Sequence, residues 1–190
     1  PNLLLSLAVS LWGLRLAWYV VGRIAKTGED KRYQEILRGY GENAQAKAFS
    51  RLFMLQAGLQ YIVSAAILRM NYTDPKPAGI ATWVGMGIFA VGFFFEAVAD
   101  AQLAAFKRDP SNKGKILQSG LWKASRHPNY FGESMVWLGL AIMSLAYPWE
   151  WLALISPVVI TVLLLFVSGV PIQEKGKAEK IGRASCRERV

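Results

Sequence analysis

"GIATWVGMGIFAVGFFFEAVADAQLAAF", Gly79–Phe106, carries charge at only two positions, Glu96 and Asp100. A helix of about 20 residues crosses the hydrocarbon layer of a bilayer, so this apolar run is long enough to span one. A charged side chain at the centre of such a helix costs about 2.5 to 3.5 kcal/mol, which marks both carboxylates as functional candidates. Being four residues apart, they lie on one helix face, with Leu103 and Lys107 continuing that face. The stretch therefore predicts a membrane helix whose polar face turns away from lipid.

Working outward, four more apolar runs follow the same rule: Leu3–Val21, Leu52–Met70, Phe131–Tyr147 and Trp151–Val170. Of the 190 residues, 53% are hydrophobic and 18% charged, which sets the chain apart from an ordinary soluble domain. The alternation of a barrel strand is absent, and lipid demands that the backbone satisfy itself, so the spans read as helices. The expected fold is an all-α polytopic membrane helix bundle with about five transmembrane helices, forming one domain over residues 1–180. The first run lacks a basic leader and does not read as a cleavable signal. The chain opens on Pro1 and is read as a piece of a longer protein.

Basic residues gather in two connections. Arg23–Arg51 holds seven Lys and Arg, and Lys107–Arg126 holds six against Asp109 alone, whereas the connections at "NYTDPKPAG" and "YPWE" are nearly neutral. The positive-inside rule then puts the two basic connections in the cytoplasm, the N-terminus outside and the C-terminus inside. Pro157 marks an expected kink in the last helix. The final ten residues, "IGRASCRERV", resemble a sequencing adapter translated in frame, so 181–190 are read as a foreign tail. That tail holds the sole cysteine, Cys186, and no metal-ligand set is expected elsewhere.

Other polar residues in the spans leave two readings open. Arg15 either pairs with Glu96 and Asp100 or snorkels toward the helix end near Arg23. Gln56 and Gln60 share a face at four-residue spacing; Gln60 reads as a helix-bridging amide, and Gln56 as either such an amide or a substrate contact. "SRHPNYFGE", Ser125–Glu133, carries the only histidine, His127. Pro128 suits the first turn of a helix, whose free amides favour an anion, and Arg126 and His127 stand beside it. Asn129 and Glu133 project on a common face. A phosphate-bearing cofactor explains this cluster better than a lipid headgroup, though a basic interfacial stretch binds acidic lipid as well.

These residues belong to longer motifs. "EAVADAQLAAFKRDPSNKGK" (Glu96–Lys115), "SGLWKASRHPNYFGE" (Ser119–Glu133), "SGVPIQEK" (Ser168–Lys175) and "EDKRY" (Glu29–Tyr33) closely resemble the bacterial membrane proteins of the steroid 5-alpha-reductase superfamily, over nearly all of Leu11–Lys177. The resemblance implies a bundle of about seven helices in the full-length family, with NADPH bound from the cytoplasm. It also implies reduction of a carbon–carbon double bond conjugated to a ketone in a lipophilic substrate, hydride going to the beta carbon. By the same resemblance Asp100, Asn129 and Glu133 match positions that hold the cofactor through ribose and nicotinamide amide groups. Lys107, Lys115, Arg126 and His127 lie where phosphates would be met, and Tyr130 falls where it would pack on the cofactor or hydrogen-bond to it. Glu96 replaces an amide-bearing position of animal reductases. The tyrosine that holds the carbonyl in those enzymes falls near Leu11–Arg15, where this chain offers Trp12, so the proton donor stays unassigned. The implied partners are a lipophilic small molecule and membrane lipid, with no nucleic acid, at the bacterial inner membrane.

Two other readings compete. "RHPNY" also resembles a motif of isoprenylcysteine and phospholipid methyltransferases, which use S-adenosylmethionine, but the paired acidic motif of those enzymes is replaced here by "PIQEKGKAEK" with Glu174 isolated. A non-catalytic lipid-binding protein would account for the basic loops and for Trp122, Trp137, Trp149 and Trp151 as interfacial anchors.

Overall fold

The computed structural model describes residues 2–27, 31–70, 73, 77–146, 150–167 and 169–170. Glu29 and Asp30, Trp149, Glu174 and the adapter-like tail lie outside the described residues. Among the described residues the regular structure is helical throughout. α1 is Asn2–Thr27, α2 Lys31–Tyr40, α3 Ala44–Ala48, α4 Met54–Met70, α5 Ile80–Arg108, α6 Leu121–Ala124, α7 Pro128–Ser144 and α8 Ile155–Val162. A wide π turn at Phe49–Phe53 joins α3 to α4, and another at Leu163–Val167 extends α8.

α1 and α5 are long and apolar enough to cross a membrane, with hydropathic stretches at Asn2–Ala25 and Ile80–Arg108. The apolar helix at Trp151–Val167 is shorter, and α4 and α7 have 17 residues each. Among the described residues two helices are thus candidate spans by length and composition, where five were expected. α5 ends where Asp109 adopts extended backbone before Pro110, and the Asn112 side chain donates to the Phe106 carbonyl at 3.1 Å, closing one of the open carbonyls of its last turn.

The tightest contact in the molecule joins α5 to α7, and glycine makes it. A Cβ on Gly92 would lie 2.7 Å from the Gly132 carbonyl oxygen, and one on Gly132 would lie 2.7 Å from that of Gly92. Gly85 and Gly139 stand in the same relation one heptad away, at 2.6 and 2.7 Å. The two helices thus run antiparallel with their backbones touching, as small residues permit in lipid, where apolar surface offers little drive for association. Around this seam Leu5, Ala8, Val63, Phe89, Val136, Trp137, Leu140 and Met143 form the buried core, with α1, α4 and α8 packed on it. The Ser156 hydroxyl donates to the Val63 carbonyl at 2.5 Å and that of Thr161 bonds the Ser134 hydroxyl at 3.1 Å, tying α8 to α4 and α7.

Pro157 lies in the first turn of α8, directly after a 3-10 turn at Glu150–Leu154. Its missing N–H falls where a helix has no use for one, so the proline marks a junction between two helical forms instead of the expected kink. Trp122 and Trp137 are buried, 8% and 4% exposed, which corrects their reading as interfacial anchors; Trp151 is exposed. Large apolar side chains cover the outside instead: Leu3, Leu7, Leu14, Trp18 and Val21 on α1, and Ile80, Trp83, Val84, Val91 and Phe94 on α5. Glu96, Asp100, Thr82, Ser144 and Ser156 lie within. A chain that exposes leucine and buries carboxylates is arranged for lipid.

Candidate functional site

The polar centre forms where α1, α5 and α7 meet. Trp12 and Arg15 face Glu96 and Asp100 in the same order along both helices, so α1 runs parallel to α5. That parallel course brings the basic connection after α1 to the same end as the one after α5.

Arg15 is turned inward. One guanidinium nitrogen ion-pairs with Glu96 and the other with Asp100, and the second also donates to the Glu96 carbonyl oxygen at 3.1 Å. The snorkelling reading is thereby excluded. The fork of the guanidinium fits the four-residue spacing, taking two carboxylates of one helix face at once. Its carbon also stands 5.7 Å from the centre of the Tyr19 ring, one turn along α1.

The second oxygen of Glu96 accepts from Trp12 Nε1 at 3.1 Å, and Glu133 accepts from Trp137 Nε1 at 2.9 Å. Glu133 stands close enough to Glu96 for the two carboxyls to act on each other electrostatically. The two indoles meet edge to face, 5.4 Å apart, and close the cluster toward the apolar core. Neither Trp12 nor Trp137 stood among the expected site residues. The readable signal for Trp137 was its place four residues after Glu133, on the same face of α7.

Asp100 links the cluster to the helix start of α7. Its Oδ1 faces Asn129 Nδ2 at 3.4 Å, and the Asn129 side-chain oxygen is buried with no hydrogen-bond partner. Pro128 occupies the first position of α7 after His127, as its sequence context predicts. The His127 ring stacks on Tyr130 at 5.2 Å with an interplanar angle of 9°.

Arg15, Glu96, Asp100, Asn129 and Glu133 are thus brought together. Lys107, Lys115 and Arg126 are exposed at the basic end, Lys107 close enough to act electrostatically on Asp100. Gln56 is exposed on α4, as is Gln60. In the connecting loop, Asp109 accepts the Ser111 amide at 2.8 Å, which with the Ser111 side chain holds its carboxyl below the ordinary range. Nearby, Gly120 takes a positive φ of 59°, and a Cβ there would strike the Gln102 side chain at 2.5 Å. Gln102 accepts the Leu121 amide at 3.0 Å, and Trp122 Nε1 donates to the Ala99 carbonyl at 3.0 Å, so the loop is pinned to α5 just above Asp100.

Do these residues fit a nicotinamide dinucleotide? A buried amide oxygen without a protein partner is costly unless a ligand donates to it. Carboxylates nearby suit ribose hydroxyls, and exposed cations a turn or a loop away suit phosphates. The donor set fits such a cofactor.

Comparison with known proteins agrees with the motifs. Over 67 residues the chain is 39% identical to the steroid 5-alpha-reductase DET2 of Gossypium hirsutum, a match covering 35% of this chain and 24% of that protein. It is 31% identical over 85 residues to the DET2 of Arabidopsis thaliana, covering 43% and 31%. Over 60 residues it is 43% identical to the probable O-methyltransferase ustE of Ustilaginoidea virens, covering 32% and 21%. The chain therefore spans between about a fifth and a third of the length of these relatives. No solved structure matches. The family model described as "Protein of unknown function (DUF1295)" matches residues 1–188, and the chain belongs to that family, with its likeness to the steroid 5-alpha-reductases resting on the plant relatives.

Proposed function

We propose that this protein is a membrane reductase that takes NADPH from the cytoplasmic side and reduces the carbon–carbon double bond of a lipophilic enone, a 3-oxo-4-ene steroid or a molecule of similar shape. The observation that carries the reading is the cluster of Arg15, Glu96, Asp100, Asn129 and Glu133 within apolar helices, with the Asn129 oxygen left as a buried acceptor. The plant relatives named steroid 5-alpha-reductase support it. In this reading the chain forms a five-span bundle in the bacterial inner membrane, its basic connections inside.

Asp100, Asn129 and Glu133 bind the ribose and nicotinamide end, Tyr130 and His127 pack at the rim, and Lys107, Lys115 and Arg126 meet the phosphates. The bound cofactor supplies the hydride that reaches the beta carbon of the enone. The protein's own contribution is to hold a charged nucleotide against an oily substrate, which requires fixed polar groups in a region that excludes water. Adding NADPH to the purified full-length parent and following its absorbance across a panel of lipophilic enones tests the proposal. Enone-dependent oxidation is expected, and its absence across the panel would overturn it.

One observation favours a second reading, an S-adenosylmethionine-dependent methyltransferase: the similarity to ustE. The cluster also offers three carboxyls to one arginine, a surplus of negative charge that suits a sulfonium. Calorimetric titration of the same preparation with S-adenosylmethionine and with NADPH separates the two.

A further inference from the structure

We propose that Arg15 is a positioning residue that fixes which way round the Asn129 amide faces, so that the site demands an N–H donor from its ligand. The inference rests on the nicotinamide reading above and adds which atom of the cofactor is selected. The argument runs through three side chains on three helices. Arg15 grips one oxygen of Asp100, and the other oxygen faces the Asn129 amide at 3.4 Å. At that distance the amide has two orientations with opposite consequences. With NH2 toward Asp100 the contact is attractive. Flipped, it would set the amide oxygen against a carboxylate oxygen, and two acceptors without a hydrogen between them repel.

Arg15 keeps this preference in place by holding the carboxylate charge and its rotation, since its planar fork also takes Glu96 and the Glu96 carbonyl and so cannot turn without breaking them. The groups facing Asp100 are accordingly Arg15 from α1, Asn129 from α7 and Lys107 from its own helix, with Glu96 and Glu133 beyond Arg15. With one N–H of the amide turned to Asp100, the Asn129 oxygen is the side-chain atom that keeps no protein partner, and it is buried. An acceptor in that position rewards an N–H and penalises a carbonyl or a methyl group. In a nicotinamide dinucleotide the group that offers an N–H beside the reactive ring is the carboxamide.

The test uses NADP+ and its 3-acetylpyridine analogue, which replaces the carboxamide NH2 by methyl and leaves ribose and phosphates unchanged. Dissociation constants for both are measured calorimetrically on the full-length parent and on Arg15→Met, Arg15→Lys and Asp100→Asn. The parent should prefer the carboxamide by roughly tenfold or more, the effect of leaving a buried acceptor unpaired. In Arg15→Met that ratio should fall toward one, because the Asp100 carboxyl is then no longer held against the amide and the Asn129 NH2 can turn to the acetyl oxygen, whereas Arg15→Lys, which keeps a cation beside Asp100, should retain most of it. Asp100→Asn, which offers Asn129 a donor or an acceptor at nearly constant shape, should lose the ratio as well and serves if Arg15→Met does not fold. A parent ratio near one, or a ratio unchanged in the variants, overturns the assignment of Arg15 while leaving cofactor binding intact. Failure of both dinucleotides to bind the parent overturns the reductase reading with it.

Discussion

Arg15 has a side chain long enough to choose between the water beyond its helix end and the carboxylates across the helix interface. The spacing of Glu96 and Asp100 shows in the sequence that one cation can serve both, but sequence distance gives no hint of which cation, since the partners are 81 and 85 positions apart. The same limit explains Trp137. Aromatic residues near span ends are commonly interfacial, and only the three-dimensional packing against α1 reveals that its indole serves a buried carboxyl. Trp137→Phe keeps the ring in the core and removes the donor to Glu133, so it should lower stability by about 1 to 3 kcal/mol. Thermal unfolding in detergent checks this, with Trp151→Phe, an exposed position, expected to be neutral. Asn129→Ala should weaken NADPH binding roughly tenfold or more while shifting the unfolding temperature little, because its oxygen has no protein partner to lose and its NH2 meets Asp100 only at 3.4 Å. Unchanged affinity by calorimetry would remove Asn129 from the site.

At the scale of the element, the α5–α7 seam depends on what is missing. Hydropathy located both helices, and Pro128 fixed where α7 begins, yet neither says that the two helices touch backbone to backbone. The signal was there as spacing: Gly85 and Gly92 on α5, Gly132 and Gly139 on α7, one heptad apart on each. Read alone, each glycine is a weak helix former; read as facing pairs, they set register and distance. Gly132→Val would drive its Cβ to 2.5 Å from the Glu96 backbone nitrogen and displace the turn that carries Glu96 toward Arg15. Overpacking of this kind costs about 1 to 3 kcal/mol, so unfolding should come several degrees earlier and cofactor affinity should fall with it. Gly87→Val, on the same helix but with nothing within 4 Å of the added atom, should leave both unchanged. Equal effects at the two positions would mean that the seam is not what holds the helices together.

For the whole molecule, the distribution of polarity argues more strongly than the count of spans. Among the described residues two helices pass as membrane-crossing by length and composition, while α4, α7 and α8 are shorter, α4 lengthened by the π turn before it and α8 by the 3-10 turn before and the π turn after it. A hydropathy profile registers neither those turns nor the hydrogen bond from Ser156 to Val63 that ties α8 to α4. The proposed orientation rests on the positive-inside rule, by which the two basic connections mark the cytoplasmic end. α1 parallel to α5 is what that reading requires, since it brings the connection through Glu42 and the loop through Lys113 to one end, while Asn2 donates to the Thr73 carbonyl at the other. Single cysteines in a cysteine-free full-length parent test this directly. Glu42→Cys and Lys113→Cys should react with a membrane-impermeant maleimide only in inside-out vesicles, and Ala78→Cys only in right-side-out ones. All three positions are exposed, so access by the reagent depends on the bilayer alone. Labelling of Glu42→Cys and Lys113→Cys from opposite sides would break the shared end, and with it the cytoplasmic approach of the cofactor to Asp100 and Asn129.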